Sequence, residues 1–332
     1  MSNTRSVRLS LPGLRAAVLR QAKHGDPARL PATEWLVARG RREAKPGLDW
    51  RGWLLEGAGL GSDALARHPA GPCSAPQRDG QPLPGTWARA EPVHLLTALD
   101  HLQLAAPVPL PLAADERVAL RAMLDEHLAG SGFRLHDGGR GGWVVECPSG
   151  CDFSALEPAH AVGRNLRECL PGGRDAVRIR ALVNELQMLL HEHPVNERRV
   201  ARGLPAVNSV WLWGAGDTAE PLGSAAGWLI TNDAWLAGLW RLHRGQAGSL
   251  EEWPRLLGKS SGDLRIALAA GLGPTEDLVR LDQAVLAPVR AALEAGRLGQ
   301  VALQVDETLV HVPAVARWAF WRRPRPLHEL LT

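Results

Sequence analysis

The stretch His191-Glu-His-Pro-Val-Asn-Glu-Arg-Arg-Val-Ala-Arg-Gly-Leu-Pro-Ala-Val-Asn-Ser-Val-Trp-Leu-Trp-Gly-Ala-Gly-Asp217 gathers polar groups and glycines more densely than any other part of the chain. It reads as the end of one helix, a short second helix, and a buried strand that stops in a Gly-x-Gly turn. Pro194 suits a first helical turn, where its missing N–H is not needed, and Gly203 followed by Pro205 stops a helix. Asn196 and Arg199 then lie three apart on one helix face. From Val207 to Trp213 only Asn208 and Ser209 interrupt the apolar run, and Gly214-Ala215-Gly216 leaves backbone N–H groups open to close approach. In open α/β sheets ligands bind beyond the carboxyl ends of the strands. The end of this strand is therefore a candidate anion site. The alternative is a helix–loop–strand unit in which the arginine and the glycines are structural.

Working outward, the helix from Ala176 to Leu190 sets Ile179, Leu182, Val183, Leu186, Leu189 and Leu190 on one stripe. Downstream, a strand at 226–230 ends at Thr231-Asn232-Asp233, residues that cap a helix over 233–242. Another strand is expected at 264–270, a helix from Thr275 to Gly296, and a hairpin over 301–312 that turns at Asp306-Glu307. Upstream, 7–13 reads as strand and turn, and 31–44 as a helix with Thr33 as its cap. The Gly/Pro-rich 57–85 reads as loop. Short strands follow over 86–104, a periodic helix over 114–130, and a hairpin whose arms 133–135 and 143–145 flank Gly138–Gly142. Strands alternating with helices on both sides of an α+β insert indicate an α/β fold with a mostly parallel sheet. The expected division is 1–85 and 175–332 as a three-layer core, with 86–174 as the insert.

Hydrophobic residues make up 45% and charged residues 22%, the composition of a globular chain, and a net charge of +3 by itself selects no partner class. Lysine occurs only at 23, 45 and 259, so the basic side chains are nearly all arginine. The N-terminal residues have no signal-peptide core and no apolar run reaches membrane-spanning length, so a cytoplasmic protein without membrane contact is expected. Cysteines 73, 147, 151 and 169 are too irregular for a disulfide framework. Cys147-x-x-x-Cys151 lacks a second ligand pair for zinc.

Several motifs carry a resemblance. Gly163-Arg164-Asn165-Leu166, Leu170-Pro171-Gly172-Gly173, and His193-Pro194-Val195-Asn196-x-x-Arg199-x-x-x-Gly203-Leu204-Pro205-Ala206-x-Asn208-Ser209-x-Trp211-Leu212-Trp213-Gly214-x-Gly216 resemble the archaeal-type cofactor-independent phosphoglycerate mutases. Arg39-Gly40-x-x-Glu43-Ala44 and Trp87-Ala88-Arg89-Ala90 are similar to further motifs of that family. Arg89-Ala90-Glu91-Pro92-Val93-His94-Leu95 resembles more closely its shorter bacterial branch, the RpfE-type regulatory proteins. The resemblance spans most of residues 35–245 and implies a reduced alkaline-phosphatase-like core with a substrate-side insert.

The resemblance also implies chemistry that this chain does not spell out. The family uses two metal ions held by Asp and His, and a serine that carries the phosphoryl group. Here Pro12-Gly13 stands where an Asp-Gly is expected, Ser62-Asp63 has reversed order, and Asp306, His311 and His328 are scattered. The i, i+2 histidines 191 and 193 face different sides of a helix and do not chelate. No catalytic residue, metal ligand or cofactor is therefore expected; Mn or Zn enters only if distant ligands such as Asp63, Asp100, Asp217, Asp233, His94 and His311 meet in space. The substrate-side residues survive better. Arg89, Arg164, Asn196, Arg199, Asn208, Trp213, Gly214 and Gly216 form the candidate anion site for a phosphorylated or carboxylate small molecule.

The readings are thus a non-catalytic, phosphoglycerate-mutase-like protein with regulatory or ligand-binding work, an active metal-dependent mutase or phosphatase, and a nucleic-acid or protein-binding module using Arg317-Trp-Ala-Phe-Trp-Arg-Arg-Pro-Arg325. In the last segment a final amphipathic helix with Trp318 and Trp321 packed on the core is expected. A protein partner fits the regulatory reading, and nucleic acid is not expected.

Overall fold

The computed structural model describes residues 5–23, 28–61, 63–78, 81–98, 101–138, 142–221, 223–248, 250–259, 263–268 and 275–330. The chain divides into two compact units, one of residues 1–62, 222–233 and 243–332, the other of 63–221 and 234–242.

The first unit is built on a seven-stranded sheet in the order Gln246–Gly248, Trp228–Thr231, Leu264–Ala267, Ser6–Ser10, Gln300–Val305, Thr308–Pro313, Arg41–Ala44. The first five strands run parallel and the last two pairings are antiparallel. Central strands of a parallel sheet are covered on both faces and so read as near-continuous apolar runs. Leu264–Ala267 is buried at every position, and Val7, Leu9, Val301 and Leu303 are fully enclosed. The fold is therefore mixed α/β with a mostly parallel sheet, as the alternating elements indicate.

Two carboxylates start helices in this unit. Asp306, in the hairpin turn, accepts from the N–H groups of Gly13 (2.6 Å) and Arg15 (2.8 Å) at the head of Leu14–Lys23. Asp282 is buried and accepts from Ala32 N, Thr33 N and Thr33 Oγ1 at the head of Pro31–Arg39. Each places negative charge where orphan N–H groups and the positive end of the helix dipole meet. Thr33 thus serves inside the first turn, and Leu30 is the capping position.

The helix expected over 31–44 stops at Arg39. Gly40 turns the chain where a Cβ would stand 2.4 Å from Val310 Cγ1, and Arg41–Ala44 leaves as an edge strand paired with Thr308–Pro313. The C-terminal segment departs further from expectation. A 3₁₀ turn, Ala314–Trp318, is followed by irregular chain, and Trp318, Phe320 and Trp321 are 65%, 76% and 68% exposed. Pro324 and Pro326 bar helix here, because each pushes its preceding residue into extended conformation. The side chain of Thr275, the expected cap, and the residues at 139–141 of the glycine-rich turn lie outside what is described.

The second unit carries a four-stranded antiparallel sheet in the order Ser209–Asp217, Thr86–Val93, Trp143–Cys147, Arg134–Asp137. Side chains alternate across it. Val210 and Leu212 pack with Ala88, Ala90 and the helices Ala114–Leu128, Ala176–His191 and Pro194–Ala201, while Trp211 and Trp213 pack on the other face with Ala70, Val93, Leu104 and Trp235. This corrects the expected boundary at 174. Residues 175–221 belong with the insert, because Ser209–Asp217 pairs along the whole of Thr86–Val93 and the helices preceding it cover that sheet.

The helix Ala234–Leu242 also belongs to this unit. Gly238 meets the helix Ala70–Ser74 so closely that a Cβ would lie 1.6 Å from Cys73 O, and at Gly71 a Cβ would lie 2.3 Å from Trp87 O. Such overpacking costs about 1–3 kcal/mol. Gly238→Ala is expected to lower the unfolding free energy by that amount, whereas Ala237→Gly, one position along, loses only the ~1 kcal/mol of helix propensity; equal effects in chemical denaturation would show that the close approach is not a constraint.

Candidate functional site

All eight candidate residues lie in the second unit, so their geometry is defined within one body. Arg199 is 2% exposed, and two of its three guanidinium nitrogens are bonded to protein groups. Nη1 meets Glu116 Oε2 at 2.6 Å and Pro111 O at 3.3 Å, and Nε donates to Pro205 O at 2.7 Å. Glu116 is itself buried, accepts from Ala113 N at 3.0 Å, and has Arg202 at 3.8 Å. The pair ties the helices Ala114–Leu128 and Pro194–Ala201 to the loop that enters the central strand.

Asn196 works beside it. Its amide donates to Leu190 O (2.6 Å) and Val207 O (2.8 Å), and its carbonyl accepts from Val207 N (2.7 Å). Asn208 does the same one position on: it accepts from Leu95 N at 2.7 Å and donates to Leu95 O at 2.9 Å. Its side-chain amide stands in for a peptide unit and prolongs the ladder in which Asn208 N already bonds Val93 O. His94 Nδ1 lies 2.7 Å from Ala206 O on the same crossing. These buried donors and acceptors have protein partners, as buried polar groups require.

Gly214-Ala215-Gly216 is not a turn. The strand continues to Asp217 with an irregularity in register between Trp213 and Gly216. Gly214, at φ +62, would place a Cβ 2.8 Å from Ala70 Cβ, and Gly216 would place one 2.9 Å from Pro69 Cγ. The glycines therefore seat the start of the helix Ala70–Ser74, occupying the space where a bound anion was expected. The β-bulge bends the strand to make that seat. Trp213 is buried on the same face, edge-on to Trp235 with ring centroids 6.0 Å apart.

Arg89 and Glu91 point to the same face of Thr86–Val93, being two apart. Both are buried; Arg89 Nη2 is 3.3 Å from Glu91 Oε1, and Nη1 donates to Gly138 O at 3.1 Å. Burial pushes the Glu91 carboxyl up to about 7, against the opposing pull of Arg89; the Trp213 indole N–H also favours the ionised form but stays outside hydrogen-bonding geometry. Arg164 is half exposed and pairs with Glu168 at 3.5 Å, one helical turn on. Asn165 caps the short turn Leu166–Cys169 by accepting from Arg167 N. His193 is half-buried and caps Pro194–Ala201, its Nδ1 accepting from Val195 N; burial, and then Arg198, lower its basicity in accord with that acceptor role.

The sequence singled out the arginines and asparagines but not their acidic partners. Glu116 and Glu91 carried a signal: each is an acid placed beside an apolar core position, where an unpaired charge is costly.

The fit to a metal centre is poor. Asp217 accepts from Thr86 Oγ1 at 2.5 Å, Asp233 pairs with Arg51 at 2.8 Å, and Asp306 caps a helix. Among the described residues no three His, Cys, Asp or Glu side chains gather as a metal site requires. Ser62 and Asp100 lie outside the described residues. No helix among those described is long and apolar enough to cross a membrane.

No family model matches the chain. Over 67 residues, 20% of the chain, it is 40% identical to the 2,3-bisphosphoglycerate-independent phosphoglycerate mutase of Methanothrix thermoacetophila, covering 17% of that protein. It is 38% identical over 66 residues to the probable enzyme of the same name from Geobacter sulfurreducens, covering 16% of it. With that of Methanosarcina mazei the match runs over 107 residues at 28% identity, 27% of the relative. The matched stretch thus spans less than a fifth of the first two relatives. Among solved structures, a cofactor-independent phosphoglycerate mutase from Thermoplasma acidophilum aligns at TM-score 0.40 and 18% identity, over 93% of this chain and 89% of its own. The PH0037 protein of Pyrococcus horikoshii aligns at TM-score 0.49 and 14% identity, over 94% and 88%.

Two outcomes follow from the buried charges. Removing one member of a buried pair costs about 3–5 kcal/mol, while an apolar side chain of similar length costs less when its partner is also neutralised. Arg199→Ala is expected to lose that much in urea denaturation, and Arg199→Met combined with Glu116→Gln to recover most of it; full stability in Arg199→Ala would show the pair to be idle. For Glu91 the folded value near 7 lies above the ordinary 4.5, so the native state holds the proton more tightly. Its stabilisation is complete below pH 4.5 and is lost as pH rises to about 7, by up to ~3 kcal/mol. Denaturation midpoints measured across that window are expected to fall more steeply for wild type than for Glu91→Gln.

Proposed function

We propose that this chain is a phosphoglycerate-mutase-like protein without mutase catalysis, whose mutase-like motifs serve as scaffold for a regulatory or anion-responsive role of the RpfE type. The observation that carries the reading is the inward use of the motif. Arg199, Asn196 and Asn208 direct their donors at Glu116, Pro111, Pro205, Leu190, Val207 and Leu95, and Gly214 and Gly216 receive a helix. Local sequence similarity to phosphoglycerate mutases supports the mutase-like part of the reading.

The chemistry of the donors supports the same conclusion. Phosphoryl transfer needs charge neutralisation and an activated nucleophile, which supply much of the roughly 8–23 kcal/mol by which enzymes lower barriers. In this chain Asp233, Asp282 and Asp306 answer Arg51 and two helix heads. Side chains so committed hold the fold. Gripping a substrate without stabilising its transition state leaves the barrier unchanged.

A coupled phosphoglycerate mutase assay with Mn²⁺ tests the proposal. Conversion at the buffer blank is expected; turnover on the order of one per second, the low end of the enzyme range, would refute it. Calorimetric titration of 3-phosphoglycerate is expected to give the same isotherm for wild type and the Arg199→Met, Glu116→Gln variant. A loss of binding confined to the variant would return Arg199 to a ligand site.

A further inference from the structure

The C-terminal segment of the first unit, left exposed where a packed helix was expected, forms one wall of a cleft of about 810 Å³. Arg322, Arg323, Arg325 and Trp321 line it from this side, and Arg41 and Arg42 from the edge strand Arg41–Ala44. No Asp or Glu lines it. All five arginines are exposed, and none of them pairs with a carboxylate among the described residues. Glu43, the acid nearest in sequence, is taken by Lys45 at 2.6 Å.

Two of the five are fixed by backbone acceptors and set the shape. Arg42 Nη1 donates to Leu330 O at 2.6 Å, and Arg322 Nη1 to Arg39 O at 3.2 Å and Gly40 O at 3.4 Å. The side chains of Arg41, Arg323 and Arg325 form no hydrogen bond among the described residues. From Thr308 to His328 the chain contains no acidic residue.

Aromatic rings stand in the same place. Trp318, Phe320 and Trp321 are the exposed aromatic side chains among the described residues, with Phe320 and Trp321 edge to face at 5.3 Å and the Arg317 guanidinium 5.2 Å from the Trp318 ring. Exposed rings interleaved with unpaired guanidiniums are costly to maintain in water unless something binds them. Pro324 and Pro326 stiffen the segment, so presenting it loses little chain entropy on binding.

We propose that this cleft binds single-stranded nucleic acid, its arginines tracking phosphates and Trp321, with Phe320 and Trp318 beside it, stacking on bases. Every base has a π-face, so stacking asks for no particular sequence, while the guanidinium forks match phosphate oxygens. A second copy of this chain is disfavoured, since a self-complementary contact would bring the same arginines together. A bilayer surface is disfavoured because the guanidiniums line a concavity that a flat surface does not enter.

Fluorescence anisotropy of a labelled oligothymidylate of roughly twelve nucleotides, titrated with the full chain, tests this. Saturable binding is expected, falling about 50-fold over a roughly fourfold rise in salt if four phosphates are neutralised. Trp321→Ala is expected to weaken binding about tenfold with the salt dependence unchanged, the signature of a lost stack. Arg323→Gln with Arg325→Gln is expected to flatten the salt slope by about one to two units. All three residues are exposed, so unchanged circular-dichroism melts establish that the variants are folded. Absence of binding at low salt, Trp321→Ala binding as wild type, duplex or inorganic polyphosphate binding as tightly as the oligonucleotide, or tighter binding to phosphatidylglycerol vesicles would each overturn the proposal.

Discussion

A guanidinium removed from water needs partners for its donors, and the packing around Arg199 shows the second unit supplying them at Nε and Nη1. Desolvating two charges costs several kcal/mol each, and their attraction offsets this only when the remaining donors are also satisfied. Arg199 and Glu116 therefore draw Pro111, Pro205 and Ala113 toward them. That fixes where the helix Pro194–Ala201 ends, how the chain enters Ser209–Asp217, and so which residues oppose Thr86–Val93. Asn196 and Asn208 complete the crossing by replacing peptide groups that the turning chain cannot supply.

The same use of arginine recurs in the first unit. Arg265, 2% exposed, donates to Leu54 O, Ala226 O and Glu56 O, and burial lowers its basicity. Arg51 lies buried against Asp233. Planar and carrying five donors, a guanidinium can gather several carbonyls where chain segments converge, which an ammonium on a flexible stem does less well. In a chain almost without lysine, arginine has become a structural element as much as a surface charge.

Much of the fold could be read from periodicity. The helices over 114–128 and 176–191, the hairpin turning at Asp306-Glu307 and the strands near 6–10, 228–231 and 264–267 follow from local pattern. Three features did not. The boundary at 174 was hidden because a strand's partner is a non-local property: nothing in Ser209–Asp217 says that it pairs antiparallel with Thr86–Val93 instead of joining the large sheet. Gly40 was hidden because its role depends on Val310, far away in sequence. The glycines at 214 and 216 signal close approach in either case, and sequence cannot say whether a phosphate or a helix approaches. Asn196, Arg199 and Asn208 meet at the crossing into Ser209–Asp217, while Gly214 and Gly216 lie at the other end of that strand and Arg89 beside Gly138; sequence showed the donors without the acceptors that occupy them.

A net charge of +3 suggests an indifferent surface, and this is where a whole-chain sum misleads. Charge acts over a Debye length, about 8–10 Å at ordinary ionic strength, so only the local balance matters to a partner. Buried arginines such as 51, 89, 199 and 265 enter the sum but project little field outward, being paired or bonded to carbonyls. Acids in hairpin turns and helix heads are likewise committed. What faces solvent in the cleft beside the Arg41–Ala44 edge is then set chiefly by Arg41, Arg323, Arg325 and Trp321, none of which is committed to a carboxylate. Edge strands often carry charge to prevent strand addition, and Arg41 and Arg42 serve that end. Strand protection needs no neighbouring indoles, however. Exposed Trp318, Phe320 and Trp321 beside the arginines require a reason that lies outside the folding of this chain, and a ligand with both phosphates and bases supplies one.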